Sequence, residues 1–473
     1  MVDGRELAAQ FENAADFETR KVLCGGQLLT VLFLDGLTSG GDIAEQVVRP
    51  LAQMTDESRE EVLFTRALQG GVWCASVKEP ESTLQAAVLL VNGFCVILFP
   101  KSGKALGCEV KTGEKRSPSP PETENTVKGA KDAFTETLRT NTSLVRRHLR
   151  TPGLRLTETV VGKRTLTKVT VCWIDRLTDP ELPRRMQERL SSIDIDGALS
   201  PAAIEEYVTG SRRTAFPLLE YTERTDHFCQ GLLDGQVGLL ADGLPLGYLA
   251  PVGLGRLMRS PEDRATDFFS ASMLRLLRYA ALGVSLLLPA LYAAMAMFHQ
   301  QMLPTKLLLS IIESKQNVPF STLLEVLGLL CAFELLQQAG LHLPQAVGTA
   351  VSIIGGLVVG TAAVDAKLVS PAALIVTASS GICGFTLPNR ELSDAVRLWR
   401  FVLTVLAGLW GLFGVTVGLL LLLTELAGLE SLGRSYLSPF GRAEVKGALV
   451  RPRLVRQKWR DGALKPMDDQ NQR

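Results

Sequence analysis

Residues 401–424 read FVLTVLAGLWGLFGVTVGLLLLLT, a run of 24 residues without a charge. At roughly 1.5 Å per residue, such a run is long enough to cross a hydrocarbon core of roughly 30 Å. Three more uncharged runs of similar length precede it, at 279–298, 345–364 and 368–387. Residues 279–440 carry only seven basic and eight acidic side chains, about 9% of their length, against about 27% in the rest of the 473-residue chain. We expect four spanning helices here; the alternative is a buried bundle within a large soluble protein.

A fifth apolar run, at 318–338, is interrupted by Glu325 and Glu334. These two residues lie about 180° apart around a helix, so they cannot share one polar stripe. A helix surrounded by lipid would expose at least one carboxylate, which is costly if the group is ionised. We therefore expect this segment to be buried among other helices, to be re-entrant, or to line a water-filled path.

The basic residues predict the orientation of the chain. Nine Lys and Arg residues follow Phe440, against four acids, and five Arg residues stand between 256 and 278. The positive-inside rule places both groups, and hence both termini, on the cytoplasmic side, which requires an even number of crossings. Four crossings fit if 318–338 does not cross, but they put Arg390, Arg397 and Arg400 on the outer side. A crossing by 318–338 would move these three inside and the tail outside.

The third uncharged run, 345–364, is rich in glycine. It contains Gly348, Gly355, Gly356 and Gly360, and the last two have the small-xxx-small spacing. Small residues let helix backbones approach closely, which favours helix packing or contact between copies of the chain. Ordinary packing within one subunit explains the pattern equally well.

The charged part of the chain is predicted to be a soluble α/β or α+β region in two subdomains, followed by an all-α multi-span membrane bundle. We place a first subdomain at 1–102, a polar, Pro-containing linker at 103–125 and a second subdomain at 126–270. The transmembrane helices then occupy 271–440, and a basic tail occupies 441–473. The N-terminal residues lack the long apolar core of a signal peptide, and no internal repeat is evident.

Local patterns in the soluble region predict both strands and helices. The pairs Asn92-Gly93, Asp234-Gly235 and Asp242-Gly243 each stand between short apolar runs and predict hairpins. Alternation of apolar and polar residues at 168–173 predicts a half-buried strand. Residues 134–150 predict an amphipathic helix with four Arg residues off its apolar face. We expect that basic surface to be solvated; anionic lipid or a partner subunit are the alternatives.

The sequence offers little catalytic or ligand-binding chemistry. The 50 basic and 49 acidic residues give a formal charge of +1, which argues against a nucleic-acid-binding protein whose whole surface is basic. The eight Cys form no C-x-x-C pair, the four His have no metal-binding spacing, and no P-loop or G-x-S-x-G motif occurs. We therefore predict no enzyme, catalytic residue, metal site or cofactor.

Several short runs together match the pattern of one known family. In the soluble part they are 128–134, 138–147 and 192–196, then Thr222, Glu223, Arg224 and Asp226 of a T-E-R-x-D motif. In the membrane part they include His299 of an F-H-Q run, Pro304 of L-P-T, Pro319 of V-P-F, Glu325 and Glu334. In collinear order from about 126 to 452, these runs resemble the spore germination GerA family.

The resemblance implies an A-type subunit of a nutrient germinant receptor in the inner membrane of bacterial spores. It implies a complex with a B-type membrane subunit and a C-type lipoprotein. It also implies a ring of A-type subunits, a homo-oligomer that acts as a nutrient-gated ion channel and triggers germination. The germinant itself is expected to bind the B-type subunit.

An ion path needs polar groups at membrane depth or a narrow apolar constriction. Glu325 and Glu334 are candidates for the first, and Val358 and Val359 are candidates for the second. Buried hydrogen-bonded carboxylates and plain packing are the respective alternatives.

The chain also departs from the family pattern. Thr225 stands where the family has Pro, Gln301 stands where it has an acid, and several positions that are usually charged in the membrane part are neutral. Two other functions stay open. One is a non-conducting accessory member of the family; the other is a secondary transporter, although the paired repeats with broken helices that are typical of transporters are not evident.

Overall fold

The computed structural model describes residues 2–54, 59–112, 128–210, 213–342, 360–438 and 445–471 except 454, 456 and 461, together with residues 121, 124 and 440. Its soluble helices are α1 Gly4–Gln10, α2 Gly40–Asp42, α3 Arg49–Gln53, α4 Glu60–Arg66, α5 Thr83–Val91, α6 Leu138–His148, α7 Glu181–Ser191, α8 Pro201–Thr209, α9 Thr225–Leu233, α10 Leu254–Leu257 and α11 Glu262–Ala265. The later helices are α12 Phe268–Met297, α13 Thr305–Lys315, α14 Thr322–His342, α15 360–365, α16 Pro371–Phe385, α17 Arg390–Gly428 and α18 Val445–Leu449. The strands are β1 Phe17–Cys24, β2 Gln27–Leu34, β3 Val77–Lys78, β4 Phe94–Phe99, β5 Lys104–Glu109, β6 Leu154–Val161, β7 Thr167–Ile174, β8 Glu220–Thr222, β9 Val237–Ala241, β10 Gly247–Ala250, β11 Glu430–Ser431 and β12 Arg434–Ser435. Short π-helical turns lie at Ile43–Val48 and Ala67–Gly71, and 3-10 turns at Gln300–Met302 and Gly462–Leu464.

The first soluble subdomain is a five-stranded antiparallel sheet with helices on both faces. Its strand order is β1-β2-β4-β5-β3. Leu51 of α3 and Leu63 of α4 pack on one face of the sheet, and α1 and α5 cover the other. Because β5 belongs to this sheet, the subdomain extends into the segment that the sequence assigns to a linker after residue 102.

The second soluble subdomain repeats this topology. Its strand order is β6-β7-β9-β10-β8, with α7 and α8 on one face and α6 and α9 on the other. In both subdomains a helix precedes two paired strands, a helical segment, a short strand, a helix and two more strands. The mixed helix–strand class is confirmed, and the strand predicted at 168–173 is β7. It is not half-buried as expected, because helices cover both faces of the sheet and Val169, Thr170, Val171 and Cys172 are all buried. The structural repeat is one that the sequence does not reveal.

Two of the three predicted hairpin turns are helix ends. Asn92 and Asp234 are the C-caps of α5 and α9, and the glycine after each has a positive φ, +83° at Gly93 and +100° at Gly235. These hairpin predictions were wrong because a glycine with positive φ ends a helix as readily as it turns a hairpin. Only Asp242-Gly243 joins paired strands, β9 and β10. The two helix ends occupy equivalent positions in the two subdomains.

The helix predicted at 134–150 is α6, and it ties the two subdomains together. Arg146 is 1% exposed and donates two hydrogen bonds to the Asp16 carboxylate of the first subdomain, at 2.7 and 2.8 Å. Arg139 pairs with Asp35 of the first subdomain and with Glu158. The expectation of a solvated basic face is therefore wrong for Arg146, which is buried. Arg139 is partly exposed, and Arg147 and Arg150 are exposed as expected.

Three described helices are long and apolar enough to cross a membrane: α12, α14 as far as Ala339, and α17. Helix α12 contains nearly all of the run predicted at 279–298. Helix α16 lies within the run predicted at 368–387, but its 15 residues span only about 22 Å. The run predicted at 345–364 falls largely outside the described residues, which resume at 360 with α15.

Helix α17 reverses direction at Gly411, where φ is +63° and ψ is −141°. Leu406 Cδ1 lies 3.0 Å from the position that a Cβ on Gly418 would occupy. In an uninterrupted helix these two residues would stand about 18 Å apart along the axis. The two arms, 390–410 and 412–428, therefore pack side by side as a hairpin, which we call the α17 hairpin.

Both open ends of the α17 hairpin lie against the second soluble subdomain. Leu392 of the first arm and Leu426 of the second share one apolar cluster with Phe216 and Leu218. The tip at Gly411 contacts Phe298 and His299, just beyond the far end of α12. The prediction that 401–424 makes a single crossing is therefore wrong. The start of the first arm, with Leu392, therefore lies beside the soluble region.

The chain after α17 returns to the soluble region. Leu432 lies in the core of the second sheet, and Ser431 Oγ donates to the carbonyl of Leu218 at 2.6 Å. Farther along, the backbone N–H of Met467 donates to the carbonyl of Leu177. The basic tail thus contacts the second subdomain at Met467.

Candidate functional site

Glu325 connects three elements of the membrane region. It lies in the first turn of α14 and is 2% exposed. Its Oε1 accepts a hydrogen bond from the backbone N–H of Ser370, the residue that caps α16. Its Oε2 lies 3.4 Å from Nζ of Lys315, the last residue of α13. The carboxylate is buried and has a cation beside it.

Glu334 faces a different neighbour, as the angle between the two acids requires. Its Oε1 lies 2.9 Å from Nη1 of Arg397 on the first arm of the α17 hairpin, and Arg397 also pairs with Asp394. One turn farther along, Arg400 is 2% exposed and donates to Ser380 Oγ of α16 at 3.1 Å. Both acids of α14 therefore pair with basic residues of the same chain.

Part of the predicted pore lies outside the described residues. This holds for the gate candidates Val358 and Val359 and for the glycines Gly348, Gly355 and Gly356. Gly360 is described, and a Cβ there would make ordinary contact with Leu374 at 3.6 Å.

The close helix contacts of the described bundle use other glycines. A Cβ on Gly381 would come within 2.7 Å of Phe333, and side-chain atoms of Leu323 crowd Gly408 in the same way. The sequence signal for these contacts is the recurrence of glycine every three or four residues from 408 to 418.

The family motif forms a turn at the start of α9. Arg224 is 2% exposed, and its Nε and Nη2 donate hydrogen bonds to the two oxygens of the Asp226 carboxylate, at 2.9 and 2.6 Å. The Thr222 hydroxyl accepts from the backbone N–H of Arg224 and donates to Glu124. The carbonyl of Glu223 accepts from the N–H of Phe134. These hydrogen bonds hold the first residues of α9 in place and connect the motif to Phe134 in the segment before α6.

Thr225, the departure from the family motif, makes contacts that a proline could not. Its hydroxyl donates to Asp132 Oδ2 at 2.5 Å and lies 3.2 Å from His148 Nε2, which is itself 2.6 Å from the same carboxylate oxygen. The hydrogen bond with His148 lowers the pKa of Asp132 to about 2. The same bond raises the pKa of His148 against the effect of burial.

A buried ionic network behind the motif was missed by the sequence analysis. Arg256 Nε donates to Glu220 Oε2 at 2.8 Å, and its Nη1 donates to Asp234 Oδ2 at 3.0 Å. Arg264 also pairs with Asp234, and His227 lies 2.9 Å from Glu220. Burial disfavours ionisation of Glu220, but Arg256 and His227 outweigh it and lower its pKa to about 2. The only sequence signal is a set of charges flanked by short apolar runs.

The remaining motif residues lie around the far end of the bundle. His299 follows α12 and packs against Gly411, and Pro304 is the N-cap of α13. Pro319 is exposed in the turn before α14. Among the residues that the structure describes, no group of three or more His, Cys, Asp or Glu side chains is placed to hold a metal ion.

Comparison with known families decides the identity. The model of the family described as Bacillus/Clostridium GerA spore germination protein matches residues 5–466. The chain belongs to the GerA family. The resemblance predicted from short motifs is confirmed, and it extends over the first subdomain as well.

Individual relatives of this GerA-family chain cover most of its length. It is 36% identical over 439 residues to the uncharacterized membrane protein YfkQ of Bacillus subtilis strain 168, covering 92% of this chain and 84% of the relative. It is 34% identical over 453 residues to spore germination protein KA of the same organism, covering 94% and 83%. The crystal structure of the N-terminal domain of the A subunit of the Bacillus megaterium spore germinant receptor GerK3 is 22% identical. It aligns with a TM-score of 0.40 and covers 52% of this chain and 92% of that one.

Proposed function

We propose that this protein is the A-type subunit of a nutrient germinant receptor, and that copies of it form a cation-conducting path in the inner membrane of the spore. Glu325 carries the proposal, because it is a buried acid on a helix long and apolar enough to cross a membrane. Ionisable groups at membrane depth are costly and commonly belong to ion pathways. A carboxylate there favours cations over anions.

The gate of this path is the apolar pair Val358 and Val359. A narrow ring of valines excludes water when closed and conducts when it wets. Gly348, Gly355, Gly356 and Gly360 then supply close contacts between helices of neighbouring copies.

The receptor assembly supplies the remaining parts. A B-type membrane subunit binds the nutrient, and a C-type lipoprotein completes the complex. Both termini lie on the cytoplasmic side, the spore core. The basic residues near the membrane support this orientation, and so does the α17 hairpin, whose two ends lie beside the soluble region.

Deletion of the gene in its native spore former tests the proposal, with complementation by wild type, Glu325→Gln, Val359→Ala or Glu313→Gln. We expect wild type and the exposed control Glu313→Gln to restore potassium release after nutrient addition. Glu325→Gln should slow release, and Val359→Ala should raise the basal leak at equal protein levels on immunoblots. Normal release from the deletion strain with every nutrient that triggers the parent would refute the receptor role.

A non-conducting accessory role is the second candidate. It is favoured by the pairing of both α14 acids within one chain, Glu325 with Lys315 and Glu334 with Arg397. Acids that are paired with basic residues of their own subunit hold the helices of the bundle together and need not take part in ion conduction. Purified protein in liposomes separates the two roles, since an accessory member gives no cation flux even with Val359→Ala.

A further inference from the structure

Three cysteine thiols meet in the core of the first soluble subdomain. Cys95 of β4 and Cys108 of β5 stand directly opposite each other on neighbouring antiparallel strands. Cys74, in the segment before β3, packs against the same apolar core, and its sulfur is hydrogen-bonded to the thiol of Cys108. All three are free thiols, and among the described residues they do not form part of a group placed to hold a metal ion. The chemistry open to them is therefore that of thiols.

The three thiols differ in their access to solvent. Cys95 and Cys108 are each 0% exposed, whereas Cys74 is partly exposed and follows Trp73, which is 57% exposed. A small water-soluble oxidant therefore reaches Cys74 before the other two. Cys108 is the thiol with which the sulfur of Cys74 is in direct contact.

The hydrogen bond between Cys74 and Cys108 makes one thiol a nucleophile and the other a proton donor. It lowers the pKa of Cys74, because the S–H of Cys108 donates to the Cys74 thiolate; burial and the Asp42 carboxylate act in the opposite direction but do not outweigh it. The same bond raises the pKa of Cys108, and Cys95 and burial raise it further. The thiolate is the form of cysteine that oxidants attack, so Cys74 is the more reactive of the two.

Two cysteines of the second subdomain provide an internal reference. Cys172 and Cys229 belong to one apolar cluster and are 0% and 4% exposed. Burial raises the pKa of both thiols. Buried thiols of this kind are inert towards oxidants.

We propose that Cys74 and Cys108 form a reversible disulfide when hydrogen peroxide reaches Cys74. The Cys74 thiolate attacks one oxygen of the peroxide, the O–O bond breaks, and hydroxide leaves, so that Cys74 becomes a sulfenic acid. The Cys108 sulfur then attacks the Cys74 sulfur, the S–O bond breaks, and the departing hydroxide takes the Cys108 proton to form water. The proton that Cys74 lost on ionisation converts the first hydroxide to water. Two thiols thus lose two electrons, and one peroxide is reduced to two water molecules.

Cys95 is the competing partner for Cys108. Residues directly opposite each other on antiparallel strands have Cα atoms about 4.5–5.5 Å apart, a separation that a disulfide can bridge. A bond between Cys95 and Cys108 would need an oxidant inside the core, however, because both residues are fully buried. The site belongs to the first subdomain, and the proposal does not depend on the ion path proposed above.

Oxidation of the full-length protein in detergent with hydrogen peroxide tests the proposal. Free thiols are then blocked with N-ethylmaleimide, and each cysteine is followed by mass spectrometry of unreduced peptides. We expect a Cys74–Cys108 disulfide that dithiothreitol reverses, and oxidation of Cys74 at least about tenfold faster than that of Cys172 or Cys229. These measurements use the wild type and need no substitution in the core.

Single alanine variants then identify the two partners. Cys108→Ala should leave Cys74 as a sulfenic acid that dimedone traps, and Cys74→Ala should abolish the disulfide. Cys95→Ala should still form it at the wild-type rate, and so should Cys172→Ala, the matched control for loss of a buried thiol. Melting temperatures establish that each variant is folded.

Three results would overturn the proposal. One is a Cys95–Cys108 disulfide that forms equally well in Cys74→Ala. Another is the same rate of oxidation for Cys74, Cys172 and Cys229 in the wild type. The third is oxidation of Cys74 to the sulfinic acid without a disulfide, since Cys108 would then not act as its partner.

Discussion

The backbone of Gly414 lies directly against the carbonyl group of Leu406, eight residues earlier in the same helix. A Cβ added to Gly414 would overlap that carbonyl oxygen. In a continuous helix the two residues would be about 12 Å apart along the axis. The close approach of the two arms of the α17 hairpin therefore depends on the absence of a side chain at 414.

Gly414→Ala is expected to destabilise the protein by about 1–3 kcal/mol, the usual cost of forcing an extra carbon into a packed interior. Gly283→Ala in α12 is the matched control, because a Cβ there meets nothing within 4 Å. That change should be neutral or should stabilise the helix by up to about 1 kcal/mol. Melting temperatures in detergent compare the two variants. Equal stability of the two would contradict the packing of the α17 hairpin.

The course of α17 predicts which residues share a side of the membrane. Single cysteines are introduced at Arg390, Gln301 and Met467 in a chain without native cysteines. A membrane-impermeant maleimide should label positions 390 and 467 from one side and position 301 from the other. Labelling of positions 390 and 301 from the same side would indicate that α17 crosses the membrane once and does not form a hairpin.

Breaking the pair between Glu334 and Arg397 should destabilise the bundle. Glu334→Gln leaves the largely buried Arg397 with Asp394 alone, at an expected cost of about 1–3 kcal/mol. The double variant Glu334→Gln, Arg397→Gln should cost less than the sum of the single changes, because neither charge is then left without its partner. Thermal unfolding of all four proteins gives the coupling energy. Strict additivity would mean that the pair contributes nothing.

The pair of His148 and Asp132 should make stability depend on pH. The pKa of His148 is raised in the folded state, so its contribution is complete below the ordinary value of about 6.5 and is lost as the pH rises through the raised pKa. His148→Gln should therefore lower the melting temperature most near pH 6 and progressively less at alkaline pH.

Arg150→Gln is the control for that titration, since Arg150 is an exposed basic residue two positions after His148. Its effect on the melting temperature should be the same at every pH. A pH-independent effect of His148→Gln would show that the ion pair does not contribute through protonation. At acid pH the stability depends on Asp132, because its pKa is lowered to about 2 in the folded state. Its contribution to stability is present above about pH 4 and is lost as the pH falls towards about 2.

The sequence predicted correctly that the charge-poor region holds helices long and apolar enough to cross a membrane, because few charges indicate contact with lipid or deep burial. It did not predict that residues 322–339 form one of these helices. It could not predict the reversal at Gly411, since 24 apolar residues satisfy the length of one span equally well. The first arm begins with Arg390, Arg397 and Arg400, which hydropathy assigns to a loop. Arg397 and Arg400 are accommodated in the bundle because Glu334 and Ser380 are their partners, and these contacts join residues distant in sequence.

In the soluble region, too, some patterns within a short segment predicted the structure, whereas contacts between segments distant in sequence were not predicted. Alternation at 168–173 is local and predicted β7 correctly. The Asn92-Gly93 pair is also a local pattern, but Asn-Gly occurs both at the ends of helices and in hairpin turns. Which of the two structures forms depends on how the neighbouring segments pack. The network of Glu220, Arg256 and Asp234 required the packed fold to bring its members together. The family motif was identified, but its contacts were not.

The return of the chain to the second sheet has a consequence for biosynthesis. Leu432 completes the core of that sheet, although it is synthesised after every helix of the membrane region. The second subdomain therefore gains this core contact only after the membrane helices have been synthesised. The packing of the second sheet and the synthesis of the membrane region are thus coupled through Leu432.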